Sequence, residues 1–194
     1  MNKVVKLFSL LSVFLISIFM GCQQDVNSPL DNQQTPPGNL TISPKTALVT
    51  TNDNLPLQTH LQLQAAKAAT AKYHDINKAI EDGYVDIDVV VQNMGYHYMK
   101  PSNIDGTFDP AKPPILVYSK NPETGKMKLV AVEYAIPNTD PRPEGFTGDA
   151  DIWENNTDFG LWLCHAWVWY NNPDGIFNEF NPRVHVAESD ITYP

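Results

Sequence analysis

Three side chains that can bind a metal ion interrupt apolar stretches of this sequence. His97, Glu133 and His165 each lie within a run of aliphatic or aromatic residues, and the three runs are far apart in the chain. Burying an unpaired carboxylate is costly, so Glu133 must find partners or face water. Two imidazoles and a carboxylate that meet from neighbouring strands form a ligand set for Zn or Fe, with coordination positions left open. We therefore predict that His97, Glu133 and His165 share one polar pocket and bind one divalent metal ion.

Other interpretations of these residues stay open. Each histidine could be a hydrogen-bonded core residue, and Glu133 could pair with an arginine or a tyrosine hydroxyl. Copper is a further alternative, because Met99 is two residues from His97 and shares its strand face. Cys164 and His165 are adjacent and point to opposite faces, which argues against a blue-copper site. We expect Cys164 to be a buried core residue.

Aromatic residues are concentrated around and after His165. Strict strand alternation places Trp167 and Trp169 on the face of His165. Aromatic side chains beside a histidine and a glutamate are typical of a ligand pocket as well as of a core. The second hypothesis is therefore a non-enzymatic module that binds a small organic ligand or a partner chain. Its ligand pocket would be lined by Tyr96, Trp167, Asn181 and Arg183.

The first element that must position these groups is predicted to be a helix. Residues 57–82 contain neither Gly nor Pro. Apolar residues at three- and four-residue spacings, among them Leu61, Ala65 and Ala68, predict one long amphipathic helix with a bend near His74 and Asp75. Gly83 follows as its cap.

Four strand-like runs follow the helix, at 84–99, 115–119, 126–136 and 160–170. Asn121–Gly125 joins two of them as a short hairpin connection, so these two strands should be antiparallel neighbours. The predicted fold class is α+β, with one long N-terminal helix packed on a curved antiparallel sheet of about four strands, as in cystatin-like folds. The long loop 137–158 is rich in Pro, Gly, Asp and Asn, and loops of this length often cover a site.

The start of the chain predicts export and a lipid anchor. Lys3 and Lys6 precede the apolar run Leu7–Met20, which is shorter than the about 20 residues of a membrane-spanning helix. Gly21 and Cys22 resemble the end of a bacterial lipoprotein signal. We expect a signal peptide over 1–21, a lipid on Cys22 that holds the protein to the cell envelope outside the cytoplasm, a flexible tether over 22–56, and a single globular domain over 57–194.

Composition narrows the possible partners. The formal charge is −9 and only 18% of the residues are charged, while 42% are hydrophobic. An acidic chain lacks the basic face that nucleic-acid binding requires, so no nucleic-acid partner is expected. Phosphate-binding loops, nucleophile elbows and Cys-x-x-Cys motifs are absent from the sequence, which leaves open whether the protein is an enzyme.

Several short patterns resemble a group of uncharacterised bacterial secreted proteins and lipoproteins. The patterns are Asp82–Tyr84, Met94–Tyr98, Leu129–Tyr134, His165–Trp169, Asn172–Phe177 and Asn181–Arg183. The resemblance carries no activity. It implies that the two histidines, Glu133, Asn181 and Arg183 belong to one shared pattern, which favours a pocket.

Overall fold

A computed structural model describes residues 54–139 and 141–193 of the chain. The expectations for the signal peptide, for Cys22 and for most of the tether lie outside these residues. Among the helices described, none is long and apolar enough to cross a membrane.

The helical segment is shorter and more broken than the sequence predicts. Helix α1 spans Leu57–Thr70, a 3-10 turn spans Ala71–His74, and helix α2 spans Ile76–Glu81. The prediction of one long helix is therefore wrong, although the break falls at the expected bend. The physical reason is local: the Asp75 side chain accepts a hydrogen bond from Asn77 N at 3.1 Å and so caps a new helix.

The buried face of α1 also differs from the predicted one. Thr59, Leu63, Ala66 and Thr70 are buried, whereas Leu61 is 55% exposed. Two threonines occupy the core side because their hydroxyls are satisfied there. Thr70 donates to Ala66 O at 2.7 Å, and Thr59 donates to Thr147 O.

The sheet is a curved antiparallel half-barrel of six strands in the order β1-β2-β3-β4-β6-β5. This confirms the α+β class and the antiparallel sheet, and corrects the count of about four strands. The bounds are β1 Val85–Val91, β2 Gly95–Met99, β3 Ile115–Lys120, β4 Met127–Pro137, β5 Glu154–Asn156 and β6 Leu161–Ala166.

Two local features account for the extra strands. The predicted strand 84–99 is a hairpin, because Asn93 adopts a left-handed φ of 66° that turns the chain between β1 and β2. Strand β5 lies in the predicted long loop, where its polar sequence gives no strand pattern, and it pairs with β6. The hairpin between β3 and β4 is confirmed.

Alternating residues divide the sheet into two apolar layers. Leu116, Val132, Tyr134 and Cys164 pack with the helices, while Ile115, Val117, Ala131 and Ala135 form a second cluster. Side chains two residues apart share a strand face. Glu133 therefore belongs to the layer of Ala131 and Ala135, opposite the helices.

The loop after β4 covers the helix side of the sheet rather than the predicted site. Phe146 and Trp153 lie in the core beneath the helices. The buried Asp151 carboxylate accepts hydrogen bonds from Phe146 N at 3.0 Å and from Trp153 Nε1 at 2.7 Å. Thr147 N donates to Gln62 Oε1 of α1 at 2.8 Å. Glu154 and Asn156 of β5, in the same loop, line a cavity on the other face.

The two tryptophans after β6 diverge, contrary to the alternation argument. Strand β6 ends at Ala166, so period-two geometry stops there. Trp167 packs in the layer opposite the helices. Trp169 packs on the helix side, where its Nε1 donates to Thr70 Oγ1 at 3.0 Å.

Candidate metal centre

Strand register places Glu133 and His165 side by side. Glu133 of β4 is directly opposite His165 of β6 and, on its other side, opposite Ile115 of β3. Directly opposite residues on antiparallel strands project from the same face with their Cβ atoms about 5 Å apart. A glutamate and a histidine at these positions are therefore brought into contact by backbone pairing alone.

His97 reaches the same place from β2, one row along the sheet. It pairs with Val117, which in turn pairs with Ala131. Both of these neighbours have short side chains, and the sheet is curved, so the imidazole extends over them towards Glu133.

The three side chains converge on one buried point. His97 Nε2 lies 3.8 Å from Glu133 Oε2, and His165 Nδ1 lies 3.7 Å from Glu133 Oε1. One ligand atom from each residue lies within 4.8 Å of the others, and the residues are only 4%, 3% and 4% exposed. Two ligands each about 2.1 Å from one ion in tetrahedral geometry are about 3.4 Å apart. His97, Glu133 and His165 could thus form a metal-binding site if their side chains move closer together, by about an ångström for the most widely separated pair.

A bulge in β1 fixes the orientation of His97. The β1–β2 register shifts between Asp86 and Val90, and Asp88 has a φ of 55°. Within this irregular segment the Val89 carbonyl accepts a hydrogen bond of 2.8 Å from His97 Nδ1. Since a carbonyl only accepts, Nδ1 carries the proton and the Nε2 lone pair faces Glu133. Metal-binding histidines are held in this way by a partner on the second ring nitrogen.

Burial makes the cluster neutral in the metal-free protein. It raises the pKa of Glu133 to about 8, with the nearby Glu179 and Glu154 carboxyls adding to the effect. Burial also lowers the pKa of His165 to about 3, with a smaller contribution from His97, and lowers the pKa of His97. Near neutral pH the three groups are therefore mostly uncharged, because burial removes the water that would solvate their charged forms.

The neutral cluster leaves one buried polar atom without a partner. The separations of 3.7 and 3.8 Å are longer than hydrogen bonds. Among the described residues, the buried Nε2 of His165 has no hydrogen-bond partner. An unsatisfied buried polar group costs about 1–3 kcal/mol, so this arrangement is costly for the metal-free fold.

The cluster opens into a cavity of about 590 Å³. Its wall is mostly aliphatic and aromatic, with residues from the β1–β2 hairpin, from β6 and from the last residues of the chain. The apolar lining includes Ile87, Val89, Met99, Leu161, Leu163 and Phe180. Glu154 of β5 and Glu179 also line it. A metal ion at the cluster would therefore face a water-poor space with room for a further molecule.

The end of the chain connects the two edges of the sheet beside this cavity. Thr192 N donates to Val90 O of β1 at 3.1 Å, and Thr192 Oγ1 accepts from Val90 N at 2.9 Å. Tyr193 OH donates to Asp158 Oδ2 in the β5–β6 turn at 3.0 Å. Ile191 and Tyr193 consequently form part of the cavity wall.

The other predicted pocket residues lie elsewhere. Tyr96 and Arg183 line a separate surface depression, where Tyr96 OH donates to Asp190 Oδ2 at 2.6 Å. Asn181 is buried, and its Oδ1 accepts from Arg183 N at 3.0 Å. Trp167 stacks beside His165 with ring centroids 6.1 Å apart, but its Nε1 donates to Asn178 O at 2.6 Å. None of the four is among the described residues that line the cavity.

The sequence contained a signal for part of the true lining. Ile87, Val89 and Val91 alternate along β1, which is typical of one covered strand face. Glu154 and Glu179 carry no such signal, because they come from a short polar strand and an irregular segment.

Cys164 is in the helix-side core, as predicted. Burial raises the pKa of its thiol well above the usual value. Because it faces away from His165, it is not a ligand in this cluster, and a blue-copper site is not supported.

Comparisons with protein-family models, curated proteins and solved structures found no match for this chain. The resemblance to secreted proteins and lipoproteins therefore stays a prediction, as does the cystatin-like architecture. The function must be argued from the geometry of the site itself.

Proposed function

We propose that this protein binds one divalent transition-metal ion, of the Zn or Fe type, through His97, Glu133 and His165. The observation that carries the proposal is the convergence of two imidazoles and one carboxylate at one buried point. A chain gains little from burying three such groups for packing alone. With a cation present, Glu133 becomes an ionised ligand and one nitrogen of each histidine coordinates the ion.

The three ligands leave coordination positions that face the cavity. Zn sites with three protein ligands and an open position polarise a substrate oxygen or activate water. In a catalytic version of the proposal, Glu133 serves as ligand or as base. In a non-catalytic version, the ion and the apolar wall together hold a small organic ligand.

Copper is the second candidate for the ion. Met99 lies in the same cavity wall. It pairs with Ile115 of β3, which in turn pairs with Glu133 of β4. A thioether near two imidazoles favours copper over zinc.

We also propose that the domain acts outside the cytoplasm, held to the cell envelope by lipid on Cys22. The support is the sequence of the first 22 residues, with its basic start, short apolar run and Gly-Cys end. Intact mass of the membrane fraction tests this: the expected product begins at Cys22 and carries lipid mass, whereas an unmodified Cys22 contradicts the anchor.

Titration of the chelator-treated full-length protein tests the metal proposal. Zn(II), Fe(II), Mn(II) and Cu(I) are added separately, and binding is followed by calorimetry. We expect one equivalent of one of these ions to bind. His97→Ala and His165→Ala should each weaken binding by at least tenfold, since ligand loss removes one of three bonds. His185→Ala is the matched control, because His185 is exposed in the separate depression. Equal binding by all four proteins would refute the assignment.

A further inference from the structure

The cavity beside the candidate metal centre has the size of a binding site for an organic molecule. Its volume of about 590 Å³ lies within the range of about 300–1,000 Å³ found for small-molecule sites. Most of the wall is formed by aliphatic and aromatic side chains. Such a wall favours an apolar ligand body, since each buried methylene contributes about 0.8 kcal/mol.

The charged groups in this wall are all acidic. Glu154 is exposed and Glu179 is half-buried, so they stand closer to solvent than Glu133. Among the described residues that line the cavity, none is Lys or Arg. An anionic ligand would meet three carboxyl groups and no cation.

The two outer carboxyls contact each other. Burial and a hydrogen bond to Glu154 raise the pKa of Glu179 to about 7. Two adjacent carboxylates cannot both ionise freely without a cation between them. This arrangement is complementary to a positive group at the rim of an otherwise apolar space.

We propose that the cavity binds an amphiphilic organic amine, with its ammonium group between Glu154 and Glu179 and its apolar body along the wall towards the His97–Glu133–His165 cluster. The inference deepens the proposed function, because it names the ligand class of the same cavity. It rests on the proposed function only in placing the apolar end of the ligand near the metal ion.

Three matched probes test the charge preference. Octylamine, octanol and octanoate share one apolar chain and differ only in the head group. Each is titrated by calorimetry into the chain that begins at residue 22 and carries Cys22→Ala, so that neither the signal peptide nor a lipid is attached. The titrations use metal-free protein, so that direct coordination of an amine to the ion cannot mimic the proposed contact. We expect octylamine to bind at least tenfold more tightly than octanoate, with octanol between them.

Variants then locate the preference. Glu154→Gln combined with Glu179→Gln should reduce the preference for octylamine over octanoate at least fivefold and leave octanol binding within twofold. Glu123→Gln combined with Glu144→Gln removes the same charge from exposed positions outside the cavity and should leave the preference unchanged. Leu163→Trp, which fills the cavity, should weaken all three probes.

Three results would overturn the inference: octanoate binding as well as octylamine, an unchanged preference in the Glu154/Glu179 double variant, or no binding by any octyl probe. Metal binding, measured separately on the same protein, keeps the two proposals distinct. A protein that binds zinc but no amine refutes only the amine ligand, and one that binds amine but no metal refutes only the metal site.

Discussion

Replacing Glu133 by Gln separates a buried metal ligand from a residue that stabilises the fold. The substitution preserves the shape of the side chain and removes its ability to ionise. In the metal-free protein both the protonated acid and the amide are neutral and buried, so packing and unmet hydrogen bonding are closely matched. The remaining difference is the free energy of holding a proton on Glu133.

The sign and size of that difference follow from its pKa. Burial raises the pKa of Glu133 from 4.5 to about 8. The folded state therefore retains a proton that the unfolded chain releases, and wild-type stability falls as pH rises between these two values. At about 1.4 kcal/mol per pH unit, Glu133 destabilises the metal-free fold by about 3 kcal/mol at pH 7. Glu133→Gln should remove this cost.

Chemical denaturation of metal-free protein across pH 4–9 measures the effect. The stabilisation by Glu133→Gln should be absent near pH 4, grow with pH and level off above pH 8. Glu123→Gln, at an exposed hairpin position, should change stability by less than about 0.5 kcal/mol throughout.

Metal should remove most of this difference in stability between the two proteins. Zinc at one hundred times its dissociation constant stabilises a folded protein by about 3 kcal/mol, and the variant should lose most of this gain because its only charged ligand is gone. If Glu133→Gln lowers the stability of the metal-free protein at pH 7, or keeps the full metal-induced gain, the reasoning is refuted.

Three further predictions concern the surrounding structure. Gly95→Ala should be strongly destabilising, by roughly 3 kcal/mol or more in denaturant unfolding, because Gly95 has a φ of 121° and an added Cβ would lie 2.2 Å from Tyr118 O; a loss below about 1 kcal/mol would contradict this geometry. Thr192→Val should cost about 1 kcal/mol and speed hydrogen exchange at Val90, whose N–H bonds to the lost hydroxyl; unchanged exchange there would show that the chain end does not hold β1. Cys164 should resist thiol reagents in the native protein and react only on unfolding, since it is buried with a raised pKa; rapid native labelling would contradict its placement.

The three residues of the buried cluster could be singled out from the sequence because the informative feature was local, whereas Tyr96, Trp167, Asn181 and Arg183 do not line the cavity. His97, Glu133 and His165 are polar residues inside apolar strands. The free-energy cost of burying them does not depend on how the strands pair. That Glu133 stands opposite His165 was not predictable, because it depends on how far β4 and β6 slide past each other. A shift of one residue would have placed Glu133 among the helix-side core.

Other features depended on tertiary contacts that a local pattern does not contain. The helical segment breaks after α1 because Asp75 caps a new helix. The buried face of α1 contains Thr59 and Thr70 because both hydroxyls find hydrogen-bond partners there. Strand β5 has a polar sequence and forms because it pairs with β6. The cavity wall includes the chain end, which lies beside β1 through hydrogen bonds between residues about a hundred positions apart.

The most direct test of the central claim is the metal content of protein purified without added metal or chelator. Elemental analysis of the wild type, His97→Ala, His165→Ala and the control His185→Ala gives the number of ions per chain. The account predicts close to one transition-metal ion in the wild type and control, and close to none in the two site variants. A wild-type protein that holds no ion and gains none on incubation with Zn, Fe, Mn or Cu would contradict it, as would equal metal content in all four proteins.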